Sequence, residues 1–115
     1  MIIGIGTDIV KITRVRPSIV RKVLSPEETA QMESFVSEQR KIEFLAGRFA
    51  VKEAIKKAMP SFEKFSSMTE LVILNTEAGA PYLSSPVFED KVIHLSISHE
   101  REYAIGLCVV ERKEI

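Results

Sequence analysis

Alternating side chains at the start of the chain predict a buried strand. Over residues 2–10, isoleucine and valine alternate with glycine, threonine and one aspartate. Side chains along a strand point alternately to opposite faces, so Gly4, Gly6 and Asp8 share one face. The two glycines leave a bare patch beside Asp8, where another part of the backbone can approach closely.

Capping residues mark the start of the first helix. Ser25 fits the N-cap, Pro26 fits the first helical position, and Glu28 is spaced to complete a capping box with Ser25. We expect this helix to run to about residue 36.

A longer helix is predicted over residues 38–59, where Pro60 ends it. At about 100° per residue, its apolar side chains form two stripes on nearly opposite sides. One stripe consists of Ile42, Leu45 and Phe49, and the other of Phe44, Val51 and Ile55. A surface helix needs only one stripe, so this pattern predicts burial by the chain's own sheet on one side and by a neighbouring subunit on the other. Between the stripes runs a row formed by Ala46, Ala50, Glu53 and Lys57.

The second half of the chain predicts three more strands. They are expected at residues 71–74, 92–98 and 103–110. The connections are expected as a loop at 61–68, a glycine-containing turn region at 75–81 and a short polar hairpin connection at 99–102. Because strands and helices are mixed, without repeats or a long linker, the sequence predicts one α+β domain over residues 1–115.

Charge and composition narrow the function classes. The chain has 16 basic and 16 acidic residues and a pI of about 6.7, whereas a general nucleic-acid binder is usually basic. A single cysteine, Cys108, excludes an intramolecular disulfide and a cysteine-based zinc site, and its apolar surroundings predict a small buried side chain. No apolar run approaches the roughly 20 residues of a membrane span, and no signal peptide is recognised. We therefore expect a soluble cytoplasmic protein that binds neither nucleic acid nor membrane.

Two carboxylates on different predicted elements are the first candidates for chemistry. Asp8 on the opening strand and Glu53 on the long helix would repel each other when buried, unless a cation lay between them. Oxygen ligands with open water positions suit Mg²⁺, which usually serves a phosphate substrate. Lys57, one helical turn from Glu53, is placed to donate to a phosphoryl or leaving oxygen.

Structural explanations for the same residues stay open at this point. Asp8 is also a candidate for capping a turn after the strand. Glu53 and Lys57 also fit an exposed i,i+4 ion pair. From the residues alone, the sequence favours metal-assisted phosphate chemistry.

Three motifs together resemble a known family. They are GIGTDI at residues 4–9, FLAGRFAVKEAIKKA at 44–58 and HLSISHEREYA at 94–104. Their order and spacing resemble those of holo-acyl-carrier-protein synthase, the small 4'-phosphopantetheinyl transferase. The resemblance implies a twisted, mainly antiparallel sheet packed on a long central helix. It also implies transfer of phosphopantetheine from coenzyme A to a serine of apo acyl carrier protein, releasing 3',5'-ADP and supporting fatty acid biosynthesis.

The same resemblance implies roles for individual residues. Asp8 and Glu53 would hold Mg²⁺, Glu53 would help to remove the serine proton, and Lys57 would stabilise the leaving phosphate. The residues expected to bind the nucleotide end of coenzyme A, with its 3'-phosphate, are Arg48, Lys52 and His99. Those expected near the adenine are Ser98 and the turn Gly79, Ala80 and Pro81.

Partners are implied as well. The family forms homotrimers with the active site between adjacent subunits. Residues 11–22 carry five basic and no acidic side chains: Lys11, Arg14, Arg16, Arg21 and Lys22. Arg14 matches a family position that faces the carrier. Because carrier proteins of this kind are strongly acidic, this basic segment is the predicted docking surface, with an ordinary basic loop as the alternative.

The chain departs from the family pattern in two places. Residues 59–65 contain no glycine where the family usually has a glycine-rich loop, and Ala80 stands where a lysine is common. Both changes put individual coenzyme A contacts in question. Two other functions stay open: a non-catalytic trimeric module that binds nucleotide or coenzyme A, and a metal-dependent phosphoesterase that uses water in place of serine.

Overall fold

Two antiparallel sheets surround the long helix. The computed structural model describes residues 1–60 and 67–114. In chain order the elements are β1 (Ile2–Lys11), α1 (Val20–Val23), α2 (Pro26–Glu33), α3 (Glu38–Ala58), β2 (Val72–Asn75), β3 (Pro81–Ser85), β4 (Lys91–His99) and β5 (Tyr103–Arg112). β5 lies between β1 and β4, and β2 pairs with β3. The α+β class and the antiparallel sheet against a long helix are confirmed.

Glycines on the inner face of the sheet allow α3 to pack against it at short range. A Cβ added at Gly6 would collide with the carbonyl oxygen of Ala54, and one added at Gly106 would collide with the backbone of Val51. The bare patch predicted on β1 is therefore filled by the chain's own helix. This close packing also fixes Asp8, which faces Gly106 in the register of β1 and β5.

Both apolar stripes of α3 are partly covered within the chain. Leu45 packs with residues of β1 and of the segment before α2, while Val51 and Ile55 pack with β2 and β5. All three side chains are buried. Segment 12–24 and the β2–β3 hairpin contribute to this burial, while Ile42, Phe44 and Phe49 are half-buried. Cover of one stripe by a neighbouring subunit stays a prediction.

A patch of exposed apolar side chains lies on the outer face of the three-stranded sheet. It consists of Ile3, Ile5, Ile9, Tyr103, Ile105 and Leu107, which we call the outer sheet face. These residues alternate with inward-facing ones on β1 and β5.

Capping residues and side-chain periodicity predicted most helix and strand boundaries correctly. The capping box at Ser25 and Glu28 is formed, although α2 ends at Glu33, before the expected residue 36. α3 agrees with its prediction to within one residue. The sequence analysis missed α1 and β3, which are short and lie next to prolines. Most of the loop expected at 61–68, and of the glycine-free stretch at 59–65, lies outside the described residues.

Two further observations concern the thiol of Cys108 and the length and apolarity of the helices. Burial raises the pKa of the Cys108 thiol to about 11, so it is a poor nucleophile at neutral pH. No helix among the described residues is long and apolar enough to cross a membrane.

Candidate active site

Asp8 and Glu53 line one cavity of about 590 Å³, which we call the carboxylate cavity. The inner face of β1 directs Asp8 into it, and α3 contributes Glu53. Its basic lining comes from Lys11, Arg14 and Lys22. The structure therefore brings the two predicted carboxylates together, with cations beside them.

Lys57 does not line the carboxylate cavity but pairs with Asp8, which does. Its Nζ is 2.9 Å from Asp8 Oδ1 and donates to the carbonyl oxygen of Thr7 at 3.0 Å. Glu53 Oε1 instead lies 3.6 Å from the Nζ of Lys56. The alternative of a Glu53–Lys57 surface pair is thus not what the structure contains, and Asp8 stands inside β1, where it caps no turn.

The donor set of this cavity fits Mg²⁺. Asp8 and Glu53 are both partly exposed, so water can complete an oxygen shell around an ion held by them. Within residues 1–60 and 67–114, no group of three or more His, Cys, Asp or Glu side chains forms a metal cage. A two-carboxylate site matches the way Mg²⁺ is usually held against a phosphate substrate.

A second cavity, of about 370 Å³, gathers four of the predicted nucleotide contacts. It is lined by Arg48, Gly79, Pro81 and His99, and we call it the Arg48 cavity. Arg40, Glu43, Phe44 and Asn75 complete its polar and aromatic wall. The Arg48 guanidinium lies over the Phe44 ring at 4.5 Å, and its Nη2 donates to Asn75 Oδ1 at 2.6 Å.

His99 is held at this cavity by a carboxylate. Its Nδ1 lies 2.8 Å from Glu43 Oε1, while Glu43 Oε2 accepts a hydrogen bond from Gln39 at 2.9 Å. Burial raises the pKa of Glu43, but the hydrogen bonds from Gln39 and His99 and the charges of His99 and Arg101 outweigh it, so the pKa is lowered overall. The Glu43 carboxylate therefore orients the His99 ring at the wall of the cavity.

Lys52 does not reach the Arg48 cavity. Its ammonium is fully buried and bonds to Glu28 Oε1 at 2.6 Å, the carbonyl of Val23 at 2.6 Å and that of Met68 at 3.2 Å. Burial lowers the pKa of Lys52, and the charge of Glu28 partly offsets this effect. A structural role as the counter-ion of Glu28 therefore replaces the predicted nucleotide contact.

Glu28 joins three elements through this buried cluster. Besides capping α2 and pairing with Lys52, it accepts a hydrogen bond from the backbone of Ile73 at 3.2 Å and lies 3.5 Å from Arg48 Nε. The Arg48 Nε makes no hydrogen bond, so the last contact is an ion pair only. The sequence analysis recognised the cap but not the charge partner, which is 24 residues away in the chain.

Ser98 and Ala80 are sequence neighbours of residues that line the Arg48 cavity, but neither of them lines it. Ser98 is exposed on β4 opposite Ile105, outside the cavity lining. Ala80 belongs to the turn, where its N–H donates to Thr76 Oγ1 at 3.1 Å. Its methyl group supplies none of the charge that a lysine would bring.

The basic segment is exposed beside the carboxylate cavity. All five of its cationic side chains are accessible. Arg14 and Lys22 line the carboxylate cavity, whereas Arg21 lines an adjacent groove with Pro17 and Met32. The three residues predicted to contact the carrier therefore lie on neighbouring surfaces.

The two cavities open on different sides of α3. They share no lining residue. Arg48 and Glu53 are five residues apart, about 140° around the helix axis. A substrate with its nucleotide in one cavity and its diphosphate in the other cavity of the same chain would have to pass around the helix.

Comparison with known proteins shows the family to which this chain belongs. A family model described as the 4'-phosphopantetheinyl transferase superfamily matches residues 4–108. The holo-[acyl-carrier-protein] synthase of Petrotoga mobilis is 42% identical, over 96% of this chain and 97% of that protein. The chain belongs to the holo-acyl-carrier-protein synthases of this superfamily. The synthase of Anoxybacillus flavithermus is 40% identical, over 97% of this chain and 98% of that protein.

Solved structures support the same assignment of this synthase. The holo-(acyl-carrier-protein) synthase from Bacillus anthracis, in complex with CoA (3',5'-ADP), has a TM-score of 0.88 and 32% identity and covers 98% of this chain and 99% of that one. The Helicobacter pylori synthase in complex with coenzyme A has a TM-score of 0.75 and 30% identity, covering 93% and 99%.

Proposed function

We propose that the enzyme transfers 4'-phosphopantetheine from coenzyme A to a serine of apo acyl carrier protein in a Mg²⁺-dependent reaction. The observation that carries this proposal is that Asp8 and Glu53 line one cavity, with Lys57 paired to Asp8, in a chain of this family. The products are holo carrier protein and 3',5'-ADP. The enzyme supports fatty acid biosynthesis in the cytoplasm.

Asp8 and Glu53 would hold the ion. When bound, Mg²⁺ neutralises charge on the diphosphate and orients it for in-line attack. Lys57, whose ammonium is 2.9 Å from Asp8, provides a second positive charge at the same place.

The transfer exchanges one bond to phosphorus for another. The serine oxygen forms a bond to the β-phosphorus of coenzyme A, and the bond from that phosphorus to the bridging oxygen breaks. Glu53 accepts the serine proton, and Lys57 donates a hydrogen bond to the departing phosphate of 3',5'-ADP. Both groups act through position and charge, which carry most of the catalysis in phosphoryl transfer.

The Arg48 cavity is the proposed binding place for the nucleotide end. Arg48 and His99 attract the 3'-phosphate, and the turn with Gly79 and Pro81 lies against the adenine. Ser98 flanks this place from the neighbouring strand position. The Bacillus anthracis and Helicobacter pylori synthases, solved with coenzyme A or its nucleotide, support a site of this kind.

The proposed assembly is a homotrimer with active sites between subunits. The cavities open on different sides of α3, so the Arg48 cavity of one protomer can complete the carboxylate cavity of the next. The outer sheet face offers the apolar surface for such contact, because isolated soluble proteins rarely expose contiguous apolar patches of this kind.

The acidic carrier protein docks, in this proposal, on the basic segment. Arg14 and Lys22 are part of the carboxylate cavity lining, and Arg21 lies on the adjacent groove. A carrier held there presents its serine to the diphosphate. Complementary charge raises the encounter rate in such complexes.

A mass measurement tests the function. The purified protein is incubated with apo acyl carrier protein, coenzyme A and Mg²⁺, and we expect the carrier to gain the mass of phosphopantetheine. Omitting Mg²⁺ in the presence of a chelator should abolish the gain. An unchanged carrier under every metal condition would contradict the proposal, and free phosphopantetheine without a carrier would indicate a phosphoesterase.

A further inference from the structure

Asn75, the last residue of β2, ties together three parts of the Arg48 cavity. Its Oδ1 accepts hydrogen bonds from Arg48 Nη2 at 2.6 Å and from Gln31 Nε2 at 3.2 Å. Its Nδ2 donates to the carbonyl oxygen of Gly79 at 3.1 Å. One amide therefore connects α2, α3 and the turn between β2 and β3.

A neutral acceptor at this position leaves the charge of Arg48 available. The buried carboxylate of Glu28 forms an ion pair with Lys52 at 2.6 Å and lies 3.5 Å from Arg48 Nε. Glu28, Lys52 and Arg48 together therefore carry one net positive charge. A guanidinium has five N–H donors, and the Asn75 bond uses only part of its Nη2. The amide thus orients Arg48 without neutralising it, as a carboxylate would.

The same amide fixes the shape of the turn. Gly79 has a φ of 91°, which a residue with a side chain rarely adopts. Its N–H donates to the carbonyl of Thr76 at 2.8 Å, and its own carbonyl is held by Asn75. Gly79 and Arg48 are consequently held at a fixed distance from each other across the cavity.

We propose that Asn75 is a positioning residue that sets the geometry of Arg48 and of the Gly79 turn for the 3'-phosphate and adenine of coenzyme A. This inference rests on the proposed function of the Arg48 cavity. Asn75 itself is not required to touch the reacting atoms.

Two substrates and two variants test the inference. Asn75→Ala removes all three hydrogen bonds. Asn75→Asp keeps the shape but loses the donor to the Gly79 carbonyl and adds a negative charge beside Arg48. In either variant the hydrogen bond that orients the Arg48 guanidinium is lost or altered. We therefore expect the KM for coenzyme A to rise about tenfold, with a smaller change in kcat. With dephospho-coenzyme A, which lacks the 3'-phosphate, the KM should change less than about threefold, because the main partner of Arg48 is absent.

Controls separate positioning from folding. Glu77→Asp changes an exposed side chain of the same turn, keeps its charge and should leave both KM values within about twofold of the wild type. A KM for coenzyme A within about twofold of wild type in a folded variant would overturn the inference, as would an equal rise for both substrates. Failure of both Asn75 variants to fold would also overturn it, because Asn75 would then be a stability element. A wild-type protein that transfers nothing would instead contradict the proposed function.

Discussion

At the scale of single residues, the chemistry proposed for the carboxylate cavity depends on two side chains that line it and one that pairs with Asp8. β1 contributes Asp8, and α3 contributes Glu53 and Lys57. The pairing of Lys57 with Asp8 keeps a positive charge beside the carboxylates. This charge offsets part of the repulsion between Asp8 and Glu53.

Glu53→Gln tests the proposed ligand and base. The amide cannot accept the serine proton and is a weaker ligand, so we expect turnover to fall by about a hundredfold or more. The melting temperature should change little, since Glu53 is partly exposed. Turnover is measured by carrier mass, with Glu114→Gln as the control, and near-normal turnover would show that Glu53 is only a surface charge.

Lys57→Ala separates catalysis from binding. Without the ammonium the departing phosphate loses a partner, and we expect kcat to fall by at least about tenfold with little change in the KM for coenzyme A. Lys56→Ala, one position away on the same helix, is the matched control. A rise in KM alone would mean that Lys57 serves binding only.

At the scale of secondary-structure elements, buried charge holds α2, α3 and β2 together. Glu28 bonds to Lys52 of α3 and to the backbone of Ile73 in β2. The cluster fixes the part of α3 that carries Arg48. Its stability therefore matters for the Arg48 cavity, although Lys52 does not line it.

Lys52→Met is expected to destabilise the fold strongly. The change removes the close ion pair of the buried Glu28 and leaves the longer Arg48 contact and the backbone hydrogen bonds from Ser25 and Ile73. We expect the free energy of unfolding to fall by about 3 kcal/mol or more. Urea unfolding followed by circular dichroism measures this loss. Adding Glu28→Gln should recover part of it, and a loss below about 1 kcal/mol would contradict a structural role for the pair.

The basic segment acts at the scale of an element as well. Raising the ionic strength from about 0.05 M to about 0.5 M shortens the range of charge attraction, so the KM for the carrier should rise more than that for coenzyme A. Arg21→Glu should raise the carrier KM already at low salt, whereas Lys113→Glu, on another exposed part of the chain, should not. Equal salt sensitivity of both KM values would argue against docking on this segment.

At the scale of the whole molecule, the sheet has two apolar faces but only one helix to cover them. α3 covers the inner face, and the described part of the chain leaves Ile5 and Ile9 exposed on the outer sheet face. The proposed trimer would bury this face between protomers, whereas a lone subunit would keep it in water.

Ile5→Glu is expected to break the assembly. The isoleucine is 68% exposed in the single chain, so the substitution changes no contact of the subunit's own core. We expect the molar mass measured by sedimentation to fall from that of a trimer towards that of one chain, with transfer activity falling in parallel. Val87→Glu, 82% exposed and off the three-stranded sheet, is the control, and a wild-type monomer with full activity would contradict the trimer.

The sequence alone was sufficient to predict most secondary-structure elements and the candidate carboxylates. The capping box at Ser25, the long helix and the alternating strands could be predicted because they depend on residues only a few positions apart in the chain. The glycines of β1 likewise predicted a close approach without naming the partner, which is α3.

Only the tertiary structure decided which side chains meet. The family resemblance placed Lys52 among the nucleotide-binding residues, but its contact with Glu28 holds it in the core. Spacing along α3 could not reveal that Asn75 bonds to Arg48, nor which parts of the chain cover Leu45, Val51 and Ile55. The physical reason is that burial and charge pairing depend on residues distant in sequence, which periodicity along one helix does not contain.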